Sequence, residues 1–151
     1  MFNLFKKKKV ISDGVIELIE TEEISGSKEN GYVPSIYYAI KLCGSNELVG
    51  HCDLRIGMSE EYYYAGNIGY NIKLSARGHN YAYKACLLLF KIAKEKYMLD
   101  SLIITCSPDN LASLKTCEKL GGTLLETVDV PSTHWLYARG ETVKNIYEYK
   151  L

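Results

Sequence analysis

The residues able to do chemistry are densest between positions 66 and 122. At the centre of this stretch, Arg77 and Gly78 sit in a short polar turn that ends in His79, Asn80, Tyr81 and Ala82. Residues 67–73 before the turn alternate and carry β-branched and aromatic side chains, which predicts a strand. After it, Ala82, Ala85, Cys86, Leu89, Ile92 and Ala93 recur at helical spacing, with lysines and Glu95 between them. The first turn of such a helix presents N–H groups without partners at the positive end of the helix dipole. A phosphate or pyrophosphate is the natural occupant of that position. A second polar group follows, with Asn110 and Ser113 one helical turn apart after a strand at residues 101–106. A third lies upstream, where alternation puts His51, Asp53 and Arg55 on one face of a strand and Cys52, Leu54 and Ile56 on the other. That polar stripe could hold a general base, and an internal ion pair or a solvated face gives the same pattern.

Residues 77–82 resemble the acetyl-CoA pyrophosphate loop of the GNAT N-acetyltransferases, Arg/Gln-x-x-Gly-x-Gly/Ala. Arg77 and Ala82 match its ends, and Asn80 stands where the pattern has a glycine. Asn80 reaches the left-handed backbone region more cheaply than most residues other than glycine. Asn110, Ser113 and the run Glu118-Lys-Leu-Gly121 are similar to the family's second signature, in the right order and at the right distance. The Ser113 variant is most similar to the branch that acetylates ribosomal-protein N-termini and antibiotics.

The resemblance implies an α/β (α+β) fold. It has a single mixed, mostly antiparallel sheet, splayed between its fourth and fifth strands into a V-shaped cleft, with helices on both faces. It also implies acetyl-CoA as cosubstrate, with no metal. Arg77, Gly78, His79, Asn80, Tyr81 and Ala82 would cradle the pyrophosphate. The backbone of Ile72 and Leu74 would pair with the pantetheine amides, with Tyr70 or Asn71 near the thioester carbonyl. Asn110 would bond the pantetheine arm, with Ser113 and Cys117 nearby. Many members place a tyrosine seven residues after the asparagine to protonate the departing thiolate; here that position is Cys117. Cys117 is a candidate proton donor or a packing residue, and packing is expected. For the general base, His51, Asp53, Glu126 and His134 all remain open.

Composition bounds what else the chain could be. Its 151 residues suit one domain with its own core, with residues 1–12 as a loosely ordered basic tail. Lys plus Arg and Asp plus Glu are equal at 18 each, so no net field points to nucleic acid or a membrane surface as partner. Cys43, Cys52, Cys86, Cys106 and Cys117 are odd in number, lack C-x-x-C spacing and mostly fall in apolar runs. They predict reduced, hydrophobe-like cysteines and a cytoplasmic protein. No apolar run approaches the ~20 residues that span a bilayer.

The remaining elements are expected to position these groups. Strands are predicted at 15–20, 36–43, 48–56, 67–73, 101–106, 123–130 and 145–151, with helices after 81 and 107. Residues 44–47 form a hairpin turn, and Ser107 and Pro108 suit the start of the second helix. Turn formers fill residues 22–35, where the GNAT pattern usually has two helices over the acceptor. Acceptor determinants are therefore expected at 22–35, Tyr62–Tyr64 and 132–143. The function implied is acetyl-CoA-dependent transfer to a primary amine of a small molecule or protein, by a monomer or homodimer. The alternative is an acyl-CoA-binding regulatory module of the same fold, with little turnover. A dinucleotide oxidoreductase lacks its early G-x-G-x-x-G and the acidic residue about 20 positions later.

Overall fold

The computed structural model describes residues 9–151. Residues 1–8, which include most of the basic tail expected from the sequence, lie outside the described residues. Five strands form one antiparallel ladder in chain order: β1 (Val10–Ser12), β2 (Ile16–Ile24), β3 (Ser35–Leu42), β4 (Leu48–Arg55) and β5 (Ile68–Ile72). A second ladder, also antiparallel, has the order β6 (Ser101–Cys106), β8 (Val143–Lys150), β7 (Thr123–Asp129). Between β4 and β5 comes α1 (Glu60–Ala65), between β5 and β6 comes α2 (Tyr81–Glu95), and α3 (Leu111–Lys119) and the single turn α4 (Trp135–Ala138) flank β7.

The fold is the mostly antiparallel α/β sheet expected, and the splay lies between the strands expected to part, β5 and β6. Asn67 sets the vertex. Its backbone N–H donates to the Ile103 carbonyl at 2.7 Å, its Oδ1 accepts from the Ile103 N–H, and its Nδ2 donates to the carbonyls of Arg55 and Gly57. Beyond Asn67 the two strands share no ladder.

Alternation decides what each face of the sheet meets. Cross-strand rows such as Tyr38–Cys52–Tyr70 and Ile36–Leu54–Ile68 turn one face toward α2, whose Cys86 lies beside Cys52. Ala85, Cys86, Leu88, Leu89 and Ala93 form the buried stripe of α2. Leu89 and Ile104 are fully buried, each contributing about 1.5–3 kcal/mol of burial free energy. The opposite face carries Asp53 and Arg55, and α1 covers it: Arg55 donates to the Ala65 and Gly66 carbonyls and lies over the Tyr62 ring.

Several expectations are corrected. Val10–Ser12 is a strand paired with β2, because Val10 and Ile11 sit opposite Ile19 and Leu18 rather than in a frayed tail. The strand expected at 15–20 continues to Ile24, across an irregularity between Glu20 and Glu22. Tyr62–Tyr64, for which no helix was expected, lie in α1. Helix α3 begins after Asn110, not at Ser107: residues 107–110 are a turn, and the Asn110 side chain caps the helix by accepting from the Ser113 N–H. Leu111 is exposed while Cys117 takes the buried position. No helix occupies residues 25–34, consistent with the loop expected there.

Candidate active site

A groove of about 500 Å³ runs along the open edge of β5, between the start of α2 and the outer face of α3. Asn80 stands at the N-cap of α2 with φ 60° and ψ 26°, the left-handed conformation its side chain tolerates. Its carbonyl accepts from Lys84, and the N–H groups of Tyr81, Ala82 and Tyr83, in the first turn, find no acceptor among the described residues. Gly78 has φ 90°, and a Cβ there would meet no heavy atom within 4 Å. The residue must therefore be glycine for its backbone angle, and that corner of the loop is open. Arg77 ties the loop to the strand by donating from Nε to the Ile72 carbonyl at 3.1 Å.

Charge in the groove has one sign. Arg77, Lys115 and Lys119 line it, and no Asp or Glu does. A polyanion fits such a surface. Register settles which backbone groups face it. Lys73 donates to the Val49 carbonyl, so the residues pairing toward β4 are Gly69, Asn71 and Lys73, while Tyr70 and Ile72 turn their amides to the open edge.

A second cavity, of about 290 Å³, opens on the other side of the splay. It is bounded by Gly69, Thr105, Ser107 and Trp135, and its charged lining is Arg55, Arg139, Glu141 and Lys144. The two cavities share Tyr70, Asn110 and Ser113. Burial drives the Tyr70 hydroxyl pKa upward, against the opposing influence of the Ser113 and Thr116 hydroxyls beside it, so the phenol remains protonated near neutral pH.

Of the residues expected to hold a cofactor, Tyr70, Asn71, Ile72, Arg77, Gly78, Asn80, Tyr81, Ala82, Asn110 and Ser113 line the groove. Leu74, His79 and Cys117 do not. Leu74 is exposed at the head of a 3-10 turn, and His79 stacks on the Tyr81 ring. Cys117 is fully buried on the sheet side of α3, in contact with Cys106 and beneath Tyr149, whose hydroxyl donates to the Cys117 carbonyl. The Cys106 sulfur and burial push the Cys117 thiol pKa far up, while the bond from Cys117 holds Cys106 lower. The Cys117 thiol thus packs against Cys106 and does not face the groove.

The candidate bases also separate. His51 is exposed on β4 and lines neither cavity. His134 is buried, with Nδ1 accepting from the Leu136 N–H, so Nε2 carries the proton and donates to the Glu61 carbonyl. Glu126 accepts from the Tyr63 hydroxyl, whose pKa that carboxylate pushes up to about 12. Asp53 forms a 2.9 Å ion pair with Arg55 under Gly69, where a Cβ would strike the Asp53 carboxylate. Burial raises the Asp53 pKa, partly offset by Arg55. Arg55, not Asp53, reaches the cavity lining.

The sequence missed Ala76, Tyr83, Ala112, Lys115, Thr116 and Lys119 in the groove, and most of the second cavity. Lys115 and Lys119 had a signal, lying two and six residues after Ser113 on a helix already expected. Of the three segments expected to shape the acceptor side, 132–143 lines the second cavity, while Tyr62, Tyr63 and Tyr64 contact Arg55, Glu126 and His134.

The sequence profile described as "Acetyltransferase (GNAT) domain" matches residues 10–123, more than half of the chain. No curated protein matches the chain in sequence. Among solved structures, an acetyltransferase (GNAT family) from Bacillus anthracis superposes with TM-score 0.61 at 23% identity, over 76% of this chain and 65% of that one. The chain thus spans about two thirds of that protein's length. An acetyltransferase from Agrobacterium tumefaciens matches with TM-score 0.66 at 18% identity, over 100% of this chain and 99% of that one. RimL, a ribosomal-protein alpha-N-protein acetyltransferase in complex with coenzyme A, matches with TM-score 0.68 at 17% identity, over 95% and 98%. At these identities the structures speak for the fold, and the profile for the family: the chain belongs to the GNAT acetyltransferases.

Proposed function

We propose that the chain is an acetyl-CoA-dependent N-acetyltransferase acting on a primary amine of a small molecule or protein. The observation that carries this reading is that a cationic groove and a separate polar cavity meet at Tyr70, Asn110 and Ser113. That is the arrangement needed to bring a polyanionic donor and an amine to one point from opposite sides. When bound, acetyl-CoA would supply a thioester: the amine nitrogen bonds to the acyl carbon, the C–S bond breaks, sulfur leaves with the electron pair and takes a proton from the protein, and the amine's surplus proton replaces that one.

On this reading the N–H groups of Tyr81, Ala82 and Tyr83 hold the pyrophosphate, and Arg77, Lys115 and Lys119 balance the remaining phosphate charge. The open-edge amides of Tyr70 and Ile72 bond the pantetheine arm, assisted by the Asn110 amide. With Cys117 buried, the proton donor to the thiolate is the Tyr70 hydroxyl, supplied from the strand instead of the helix. The five cysteines are all free thiols, which suits a reducing compartment, and among the described residues no helix is long and apolar enough to cross a membrane.

The test is calorimetric titration with acetyl-CoA, followed by release of free CoA thiol in the presence of an amine panel. Binding in the micromolar range and amine-dependent thiol release are expected. Binding without release from any amine would favour the regulatory-module alternative, and no binding would remove both.

A further inference from the structure

Within the second cavity, charge is matched except at one place. Arg55 pairs with Asp53 at 2.9 Å and donates to two backbone carbonyls. Lys144, itself buried, pairs with Glu141 at 2.6 Å. Arg139 is left over. It stands 3.9 Å from the far oxygen of the already engaged Glu141, its side chain is 65% exposed, and its guanidinium lies 5.5 Å from the centre of the Trp135 ring. An arginine stacked on an aromatic face keeps its N–H edge presented outward, in the fork geometry that fits a carboxylate or phosphate.

Surplus positive charge in a cavity that must receive an amine is a selective feature. It disfavours an acceptor that arrives with further cationic groups, because like charges in a confined site repel. It favours one that brings its own anion. The cavity volume, about 290 Å³, admits a molecule of amino-acid or small-peptide size. Resting on the acetyltransfer reading above, we infer that the acceptor is a primary amine carrying a nearby anionic group, carboxylate or phosphate. Arg139 is the residue that selects it. Polyamines and amine-rich sugars are excluded by the same charge.

The experiment compares an α-amino acid with its amide, 2-aminoethyl phosphate and 1,4-diaminobutane as acceptors, each expressed per neutral amine, in the wild type and in Arg139→Gln, Arg139→Lys and Arg139→Glu. The wild type should favour the anionic amines by about tenfold or more in kcat/KM, the scale of one charge-assisted hydrogen-bonded contact. Arg139→Gln should abolish that preference through KM, Arg139→Lys should keep part of it, and Arg139→Glu should turn it toward the diamine. The stronger of the carboxylate and phosphate arms names the anion. Equal use of acid and amide by the wild type, or a preference that survives Arg139→Gln, overturns the inference. If no amine is acetylated, the acetyltransfer reading fails, and titration of the same compounds into the CoA-bound protein decides the charge site alone. Anion binding lost in Arg139→Gln upholds it, and binding indifferent to charge or to the substitution overturns it.

Discussion

Asn67 and Ile103 exchange two hydrogen bonds, backbone N–H to carbonyl at 2.7 Å and Oδ1 from N–H at 2.8 Å, and β5 and β6 part from that pair onward. One buried side chain therefore fixes the vertex from which both cavities open. Asn67→Ala would remove the partner of the Ile103 N–H and of the Arg55 and Gly57 carbonyls, at about 1–3 kcal/mol for each one that water does not reach; Gly57 is exposed, so the cost falls on the other two. Urea unfolding should register a loss of about 2 kcal/mol or more. A loss below about 1 kcal/mol would mean that water or the backbone takes over those bonds.

Loop geometry before α2 gives two contrasting substitutions. Asn80→Gly keeps the left-handed angle and should leave CoA affinity within a few-fold. Gly78→Ala meets no atom in the protein but must hold φ near 90°, a strain of about 1–3 kcal/mol, and its methyl group projects where ligand phosphates are proposed to lie. Titration with CoA should show at least a tenfold loss for Gly78→Ala. Equal affinities for both variants would move the pyrophosphate away from this loop.

The elements around the site were legible wherever one face of a regular segment is buried. The stripe from Ala85 to Ala93 predicted α2, alternation predicted β3, β4 and β5, and the tolerance of Asn80 for the left-handed region anticipated its angle. Cys117, placed beside the cofactor by resemblance and expected to pack, follows Ser113 by four residues. Four residues turn a helix by about 400°, and the extra ~40° with one turn of rise carries Cys117 from the groove rim under the sheet. The second cavity could not be read locally at all. Arg55 comes from β4 while Trp135, Arg139, Glu141 and Lys144 come from α4, the loop after it and β8, and only the folded sheet brings them together.

Cys117 is where packing and catalysis are separable. Its thiol is fully buried against Cys106 and lines neither cavity. Cys117→Ala should leave turnover within a few-fold and cost about 1 kcal/mol of stability from the small cavity created. A hundredfold loss of turnover with normal melting and CoA affinity would restore it as a proton donor.

Asp53 gives a pH signature of definite sign. Burial raises its folded pKa above the unfolded value of about 3.9, so between the two values the folded state binds the extra proton. Its contribution to stability is fully present below the unfolded pKa and is lost as pH rises through the folded one. The unfolding free energy of the wild type minus that of Asp53→Asn should therefore fall as pH increases from 4 upward. A difference that grows with pH would show that Arg55, rather than burial, governs the carboxyl.

Tyr70 carries the most direct test of the chemistry. It stands on β5 where the groove and the second cavity meet, its amide faces the open edge, and its phenol lies beside Ser113 and Thr116. Burial keeps the hydroxyl protonated and so available as a donor, and it also weakens the acid, so donation to a thiolate depends on the phenol being held against the sulfur. Tyr70→Phe retains the ring and the cross-strand contact with Cys52, so stability should change by only about 1 kcal/mol, the net value of one hydroxyl's hydrogen bonds. Loss of the proton donor should lower kcat by about 10²-fold, the lower end for general acid catalysis, while acetyl-CoA affinity stays within a few-fold. Parallel losses in affinity and turnover would instead assign the phenol to holding the pantetheine arm. Turnover within a few-fold of wild type would exclude both roles, leaving water as the proton's carrier.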